Sequence, residues 1–426
     1  IKLNWKFFNL IKNNNFGIVP VNTTLTVLYR STNPSNSNVA VGNLNKVNNA
    51  RLKFNDESTL SPTSVSQIIN SFEVSNETPI VGDVSNPSTT EIKRRIYDTF
   101  PTQNRAVTQS DYESIAYRIG AAFAAALEAK TVVLGRDVRA SSEELAKSVA
   151  QGLIDQGCEV LDLGLSGTEE MYFATTHFNA DGGICVTASH NPMDYNGMKM
   201  VRAGSAPLDA GTGLARIKEL AEDNAFKKSN QRGTIRDVAA EARSAYVERI
   251  CKFADVTAMK PLKILVNAGH GAAGPTFDAI EARLADLGSP LTFVRLFHKP
   301  DGSFPQGIPN PLLPENRPQT AEAVRATGAD FGVAWDGDFD RCFFFDHTGA
   351  FVDGEYVVGL LAEAFLAKDP GAKIIHDPRI IWNTQDLVEK TGGRAVQTRT
   401  GHAFIKQAMR DKDAVYGGEM SAHHYF

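Results

Sequence analysis

Three carboxylates at alternate positions stand in Asp336-Gly337-Asp338-Phe339-Asp340-Arg341. The apolar run 331–335, read as a buried strand, comes directly before them. Carboxylates so spaced converge on one point only if the chain turns tightly, which Gly337 permits. Converged carboxylates repel unless a cation sits among them, and hard divalent ions, Mg2+ above all, take such oxygen ligands. A calcium loop also opens on alternating acids, but Arg341 stands where that loop needs Gly and His347 where it needs Glu. Arg341, next to the acids, suits a phosphate. The bland alternative is an acidic surface loop in solvent.

A second stretch reads Thr187-Ala188-Ser189-His190-Asn191-Pro192, followed by Asp194-Tyr195-Asn196-Gly197 and Lys199. Here a hydroxyl follows a buried strand, with an imidazole beside it and an ammonium nearby. A nucleophilic Ser needs an activator or a field that stabilises charge, and His190 and Lys199 are candidates. A polar turn is the plain alternative. The G-x-S-x-G elbow of hydrolases is absent here. A third loop, Gly417-Gly418-Glu419-Met420-Ser421-Ala422-His423-His424, places Glu419 and Ser421 two residues apart, a spacing that can grip vicinal hydroxyls. Adjacent His423 and His424 do not share a face, which argues against a metal there. A fourth stretch, Arg399-Thr400-Gly401-His402-Ala403-Phe404-Ile405-Lys406, opens a helix, whose N-terminus favours anions. His402 has the intrinsic pKa for proton transfer near neutrality; a structural His is the alternative. Arg379, in Asp377-Pro378-Arg379, follows another apolar strand, with an ordinary surface Arg as its alternative. Together the loops offer a phosphate acceptor, a Mg2+ site, cations for oxyanions and a hydroxyl grip. Phosphoryl transfer to a polyol needs these parts.

The elements that must carry the loops alternate helix and apolar strand. Helices are expected at 115–128, 142–152, 275–287 and 356–367, and strands at 131–135, 159–163, 184–187, 263–267, 331–335 and 373–376. A further helical pattern covers 385–389. This predicts α/β layering with mainly parallel strands. The expected units are 114–250, 251–352 and 353–426. Residues 1–113 differ: they hold 18 Asn and 3 Ala, against 9 Asn in 114–426. They read as a β-rich, mixed segment, with a strand expected at 23–29, turn clusters at 32–38 and 86–88, and a short helix from about 89 to 100.

The whole chain has 426 residues and a formal net charge of -5, which argues against nucleic-acid binding through bulk positive charge. Its four cysteines lie far apart, with no C-x-x-C pair, as expected of a reducing cytoplasm. No apolar run reaches about 18 residues, so no membrane span is expected.

Residues from about 114 to 426 resemble the α-D-phosphohexomutases, in particular their bacterial phosphomannomutase branch, which supplies GDP-mannose and exopolysaccharide synthesis. The stretch Thr187-Ala188-Ser189-His190-Asn191-Pro192 is similar to the family's phosphoserine loop. Asp336-Gly337-Asp338-Phe339-Asp340-Arg341 resembles its magnesium loop, and Gly418-Glu419-Met420-Ser421-Ala422-His423 its sugar-binding loop. The resemblance implies consecutive mixed-sheet α/β domains and a reaction that moves phosphate between C1 and C6 of a hexose, mannose or glucose. It implies that Ser189 is phosphorylated and that Asp336, Asp338 and Asp340 bind Mg2+, completed by a phosphate oxygen on Ser189. Arg341 would then support the transferring group, and Lys199 and His402, with His190 beside the serine, would serve proton transfer. Arg379, Glu419, Ser421 and His423 would bind substrate, the Glu and Ser through O3 and O4. Hexose 1,6-bisphosphate is the implied activator and a phosphosugar the implied partner. Two departures are expected to weaken activity: no Lys-x-Tyr-Asp-x-Arg-Gly type segment is found, and no fourth domain follows residue 426.

Residues 1–113 resemble part of a baseplate wedge protein of large tailed phages. The resemblance is carried by Pro79-Ile80-Val81-Gly82-Asp83 and Lys93-Arg94-Arg95-Ile96-Tyr97-Asp98. It implies phage baseplate proteins as partners of that segment. The two resemblances meet at Ile115-Ala116-Tyr117-Arg118, the expected junction. Two other functions compete with the mutase: a baseplate component carrying a non-catalytic mutase fragment, and a Mg2+-dependent sugar-phosphate binder without turnover.

Overall fold

The computed structural model describes residues 61–63, 65–66 and 109–426, apart from 225, 227 and 228. The strand expected at 23–29, the turns, the helix expected near 89–100 and most of the baseplate-like stretch lie outside them. The chain divides into two compact units, Ile1–Asn104 and Arg105–Phe426. The second carries all that follows.

It opens with α1 (Gln109–Leu127), whose Ala-rich face is buried through Ala121, Ala122 and Phe123. There follow β1 (Thr131–Arg136), α2 (Ser142–Asp155), β2 (Glu159–Leu165), α3 (Thr168–His177) and β3 (Gly182–Val186). Next come β4 (Met198–Arg202), β5 (Ala206–Pro207), α4 (Ala215–Asp223), β6 (Thr234–Asp237) and α5 (Ala239–Cys251). A second run holds β7 (Lys263–Asn267), α6 (Ala273–Asp286), β8 (Thr292–Leu296), α7 (Pro318–Thr327), β9 (Phe331–Trp335), β10 (Cys342–Phe345) and β11 (Phe351–Val352). The third run is α8 (Gly354–Lys368), β12 (Lys373–His376), α9 (Trp382–Lys390), β13 (Arg394–Gln397), α10 (His402–Lys412), β14 (Ala414–Gly418) and β15 (His424–Tyr425).

The runs make three sheets, ordered β5-β4-β3-β1-β2-β6, β11-β10-β9-β7-β8 and β13-β12-β14-β15. Their common kernel is one unit used three times. The first strand lies between the second and the third, all parallel, and a fourth strand returns antiparallel beside the third. The central parallel strands are apolar and buried, as with Val132, Val133 and Leu134 of β1 at 0–2% exposure, while the edge strand β6 is polar and exposed. Burying each such side chain stabilises the unit by about 1.5–3 kcal/mol. The helices start and stop on local signals. For example, α7 begins with Pro318 at its first position and ends at Gly328, whose φ of 59° closes the helix in the left-handed region. That stop feeds β9 and so aims the acidic loop. Among the described residues no helix is long and apolar enough to cross a membrane.

Every loop singled out by its chemistry has the same address or lies beside it. Residues 187–197 join β3 to β4, residues 336–341 join β9 to β10, and residues 419–423 join β14 to β15. All three leave the carboxyl end of a central parallel strand, where ligands of open α/β sheets bind.

Candidate active site

Ser189 follows the fully buried β3 and is itself 7% exposed, with φ at 50°. Its backbone N–H donates to Thr187 Oγ1 at 2.9 Å. Its hydroxyl donates to Asp336 Oδ2 at 2.7 Å, and His190 Nδ1 lies 3.2 Å from Ser189 Oγ. The serine loop thus meets the acidic loop across the first and second sheets, through this hydrogen bond and another from Thr187 Oγ1 to Asp338 Oδ2. Gly337 makes this approach feasible, since a Cβ there would lie 2.8 Å from the Ser189 carbonyl oxygen.

Asp336 and Asp338 are fully buried, and one oxygen from each of Asp336, Asp338 and Asp340 lies within 4.8 Å of the others. Asp338 Oδ2 accepts from Thr168 Oγ1 at 2.6 Å, Thr187 Oγ1 at 3.1 Å and Lys199 Nζ at 2.7 Å. Lys199 also bonds Asp340 Oδ2. The Arg341 backbone N–H donates to Asp336 Oδ1 at 3.2 Å, and its Nε lies 3.8 Å from Oδ2. Burial first, then the Asp338 and Asp340 charges, pushes the Asp336 carboxyl up to about 8. Burial opposes ionisation of Asp340 too, but Lys199 and His423 outweigh it and hold that carboxyl well below the usual range. Burial likewise disfavours the Lys199 ammonium, and Asp338 and Asp340 reverse this. Asp338 Oδ1 is buried with no hydrogen-bond partner among the described residues. An orphaned carboxylate oxygen in an all-oxygen cradle fits a hard divalent cation such as Mg2+.

The third loop reaches the same acids through His423. Its Nε2 lies 3.3 Å from Asp340 Oδ1 and its Nδ1 lies 3.3 Å from Glu419 Oε2. Burial works against the imidazolium, but these two carboxylates carry it up to about 9. Glu419 accepts from the Gly401 N–H at 2.9 Å and from the Tyr425 hydroxyl at 2.8 Å. Burial opposes its charge, yet His423 and these donors bring the carboxyl down to about 2. Ser421 Oγ lies 3.0 Å from His423 Nδ1. His424 turns the other way and meets the Tyr416 hydroxyl at 2.7 Å, so the two adjacent histidines indeed part company. Arg379 pairs with Asp377, Nε to Oδ2 at 2.9 Å, while its Nη2 comes within 3.9 Å of Glu419 Oε1. His402 is the first residue of α10, which opens where the sequence placed a helix start. His402 is an exposed residue. Desolvation and the neighbouring Lys406 and Lys199 ammoniums still push it down to about 4, leaving a neutral imidazole at pH 7. Burial and Arg341 do the same to His190, also to about 4.

Ser189, His190, Lys199, Asp336, Asp338, Asp340, Arg341 and His423 are therefore gathered in one cluster of hydrogen bonds and ion pairs, with Glu419 and Ser421 joined through His423. Arg379 and His402 border it. Sequence reasoning missed the supporting residues Thr168, Thr187, Tyr425, Asp137 and Arg139. A signal for the last two was present. Asp137-Val138-Arg139 after β1 repeats the Asp-x-Arg of Asp377-Pro378-Arg379 after β12.

Comparison with known proteins follows the three sheets. Family models described as phosphoglucomutase/phosphomannomutase alpha/beta/alpha domains I, II and III match residues 103–228, 244–349 and 353–426. A phosphomannomutase of Salmonella typhimurium is 58% identical over 316 residues, which is 74% of this chain and 69% of the relative. One of Escherichia coli is 57% identical over 314 residues, again 74% and 69%. The crystal structure of a Burkholderia thailandensis phosphoglucomutase/phosphomannomutase family protein superposes with a TM-score of 0.67 at 33% identity, covering 76% of this chain and 69% of that one.

Proposed function

We propose, on the premise that the chain belongs to the phosphoglucomutase/phosphomannomutase family, that it is a phosphohexomutase. It interconverts hexose 6-phosphate and hexose 1-phosphate of mannose, glucose or both, through a phosphoserine at Ser189 and a hexose 1,6-bisphosphate. The observation that carries this reading is the 2.7 Å hydrogen bond from Ser189 Oγ into a set of three carboxylates, two of them fully buried. A phosphoryl group on that oxygen would sit among ligands for a divalent ion and beside the Arg341 guanidinium.

The chain's residues divide the work as follows. Asp336, Asp338 and Asp340, with a phosphate oxygen on Ser189, would hold Mg2+. When bound, Mg2+ supplies positive charge that offsets repulsion between the carboxylates and the phosphoryl oxygens. In the first half-reaction the phosphoserine Oγ–P bond breaks as a bond forms from phosphorus to a sugar hydroxyl oxygen. The hydroxyl proton passes to a neighbouring base, and Ser189 Oγ regains a proton. The second half-reaction runs the same exchange backwards at the other end of the reoriented bisphosphate. His190 and the neutral His402 are placed to accept protons, and Lys199 to steady the oxygens that gain charge. Glu419 and Ser421 take the sugar hydroxyls, with His423 orienting both. Arg379 faces the substrate's negative end.

Three domains, assigned to 114–250, 251–352 and 353–426, each supply one loop. Added hexose 1,6-bisphosphate activates by loading Ser189. The four cysteines are unpaired, which suits a reducing compartment, and we place the reaction in the cytoplasm. The test is phosphopeptide mass spectrometry after incubation with Mg2+ and hexose 1,6-bisphosphate, alongside a Ser189→Ala variant. Phosphate on Ser189, and loss of turnover in the variant, are expected; turnover retained by Ser189→Ala sinks the reading.

A further inference from the structure

We propose that Arg139 is the positioning residue of the serine loop, fixing its backbone so that the Ser189 hydroxyl meets the acidic loop. The guanidinium is buried, with Arg139 2% exposed, and it holds the loop by four of its carbonyls. Nη2 donates to Ser189 O at 2.9 Å and Asn191 O at 2.6 Å. Nη1 donates to Pro192 O at 2.6 Å and Tyr195 O at 3.2 Å. The loop needs such a post. It runs through residues 187–197, and residues 191–195 are exposed. At its root Ser189 keeps a left-handed φ of 50°, which a non-glycine residue holds only when its surroundings over-determine it.

The second observation is an internal comparison. The Asp-x-Arg turns after β1 and β12 are built alike. Asp137 accepts from the Arg139 N–H at 3.0 Å and the Ala188 N–H at 3.3 Å, with Arg139 Nε 3.3 Å from its Oδ2. Asp377 accepts from the Arg379 N–H at 2.8 Å, the Met420 N–H at 3.4 Å and Arg379 Nε at 2.9 Å. In each case the Asp ties the Arg to the second residue of the neighbouring loop. The two guanidiniums then diverge. In the third sheet the loop has only residues 419–423, and the Arg379 side chain stays 36% exposed. In the first sheet the loop is more than twice as long, and the Arg139 guanidinium is spent on its carbonyls. The turn therefore does not dictate burial of the Arg; the long loop does. Lysine cannot replace it, because one ammonium cannot span four carbonyls in a fork.

The role in catalysis rests on the function proposed above, so the experiment has one arm that does not. Amide hydrogen exchange is measured on the whole chain and on Arg139→Lys and Arg139→Ala. Phosphorylation of Ser189 by hexose 1,6-bisphosphate with Mg2+ is timed in parallel. Exchange within 187–197 is expected to quicken by roughly tenfold or more, with 414–425 unchanged. The phosphorylation rate at saturating donor should fall roughly 10- to 100-fold with the half-saturating concentration unmoved. Guanidinium ion, kept below denaturing concentration, should restore part of the rate to Arg139→Ala. Wild-type exchange in 187–197, or quickened exchange with an unchanged phosphorylation rate, overturns the proposal. So does failure of both variants to fold, because that makes Arg139 a support of the whole domain. Quickened loop exchange together with a wild-type chain that never takes up phosphate refutes the mutase reading and leaves the loop anchor standing.

Discussion

Replacing Gly337 by Ala tests the contact between the serine and acidic loops with the smallest perturbation available. The added Cβ would sit 2.8 Å from the Ser189 carbonyl oxygen, whereas ordinary contact begins at 3.4 Å. The loops must therefore separate by about 0.6 Å, the difference of those two distances. Ser189 O is held at 2.9 Å by Arg139, so most of the shift falls on the acidic loop. That loop carries Asp336, whose Oδ2 is the acceptor 2.7 Å from Ser189 Oγ. Overpacking of this kind costs about 1–3 kcal/mol of stability, which the domain survives. Misplacement by about 1 Å can cost roughly 100-fold in rate, so 0.6 Å predicts roughly a tenfold loss. The assay is the rate of Ser189 phosphorylation by hexose 1,6-bisphosphate with Mg2+, followed by intact mass. Gly211→Ala is the control, because its Cβ meets nothing closer than 3.5 Å. A Gly337→Ala chain that melts like its parent and phosphorylates at the parent rate would refute the reasoning.

Three other perturbations have definite outcomes. Asp338→Asn should lower Ser189 phosphorylation by roughly 100-fold or more and remove the heat of Mg2+ binding in titration calorimetry; chelation with EDTA should stop the parent chain and added Mg2+ restore it. Ser421→Ala removes one hydroxyl contact worth about 1 kcal/mol, so KM for hexose 1-phosphate should rise several-fold with kcat little changed; a fall confined to kcat contradicts a binding role. The third concerns Glu169, whose hydroxyl donor is Tyr246 at 2.8 Å. Burial pushes its carboxyl from 4.5 up to about 7. A raised acid favours the fold most below its unfolded value and loses that contribution as pH rises through 7. Glu169→Gln, which stays neutral, should therefore melt higher than the parent above about pH 8 and alike near pH 4.5. The shift bounds the gain at about 3 kcal/mol, less whatever solvent reaches the partly exposed carboxyl. Equal melting differences at both pH values would rule it out.

The central strands were legible because a strand covered on both faces is an unbroken apolar run. The expected strands 263–267, 331–335 and 373–376 coincide with β7, β9 and β12. The antiparallel returns β4, β10 and β15 were not singled out. Met198–Arg202 mixes charge with methionine, and His424–Tyr425 is two residues long, so neither carries a periodic signal. The short helix α9 showed its core at 385–389 but not its exposed opening at Trp382, which no core contact demands. In the site, the acids and Ser189 were visible because their types are unusual beside a buried strand. Arg139 and Thr168 were not, because a residue that serves by holding backbone or by donating one hydroxyl looks like any other. Only the recurrence of Asp-x-Arg after two strands distinguished Arg139, and recurrence becomes a signal once the strands are known to be equivalent.

Each chemical loop leaves on a parallel strand and returns on the antiparallel strand beside it. Its two ends are therefore pinned one strand spacing apart, about 4.8 Å, by hydrogen bonds that belong to the sheet. What lies between the pins can change length and content without disturbing either strand. The 11-residue and 5-residue connections at 187–197 and 419–423 already show two such lengths on one frame. The three connections behave as cartridges in matching sockets, and on the proposed function an exchange within residues 419–422 that keeps His423 against Asp340 is the natural way to redirect sugar recognition while leaving the phosphate site in place.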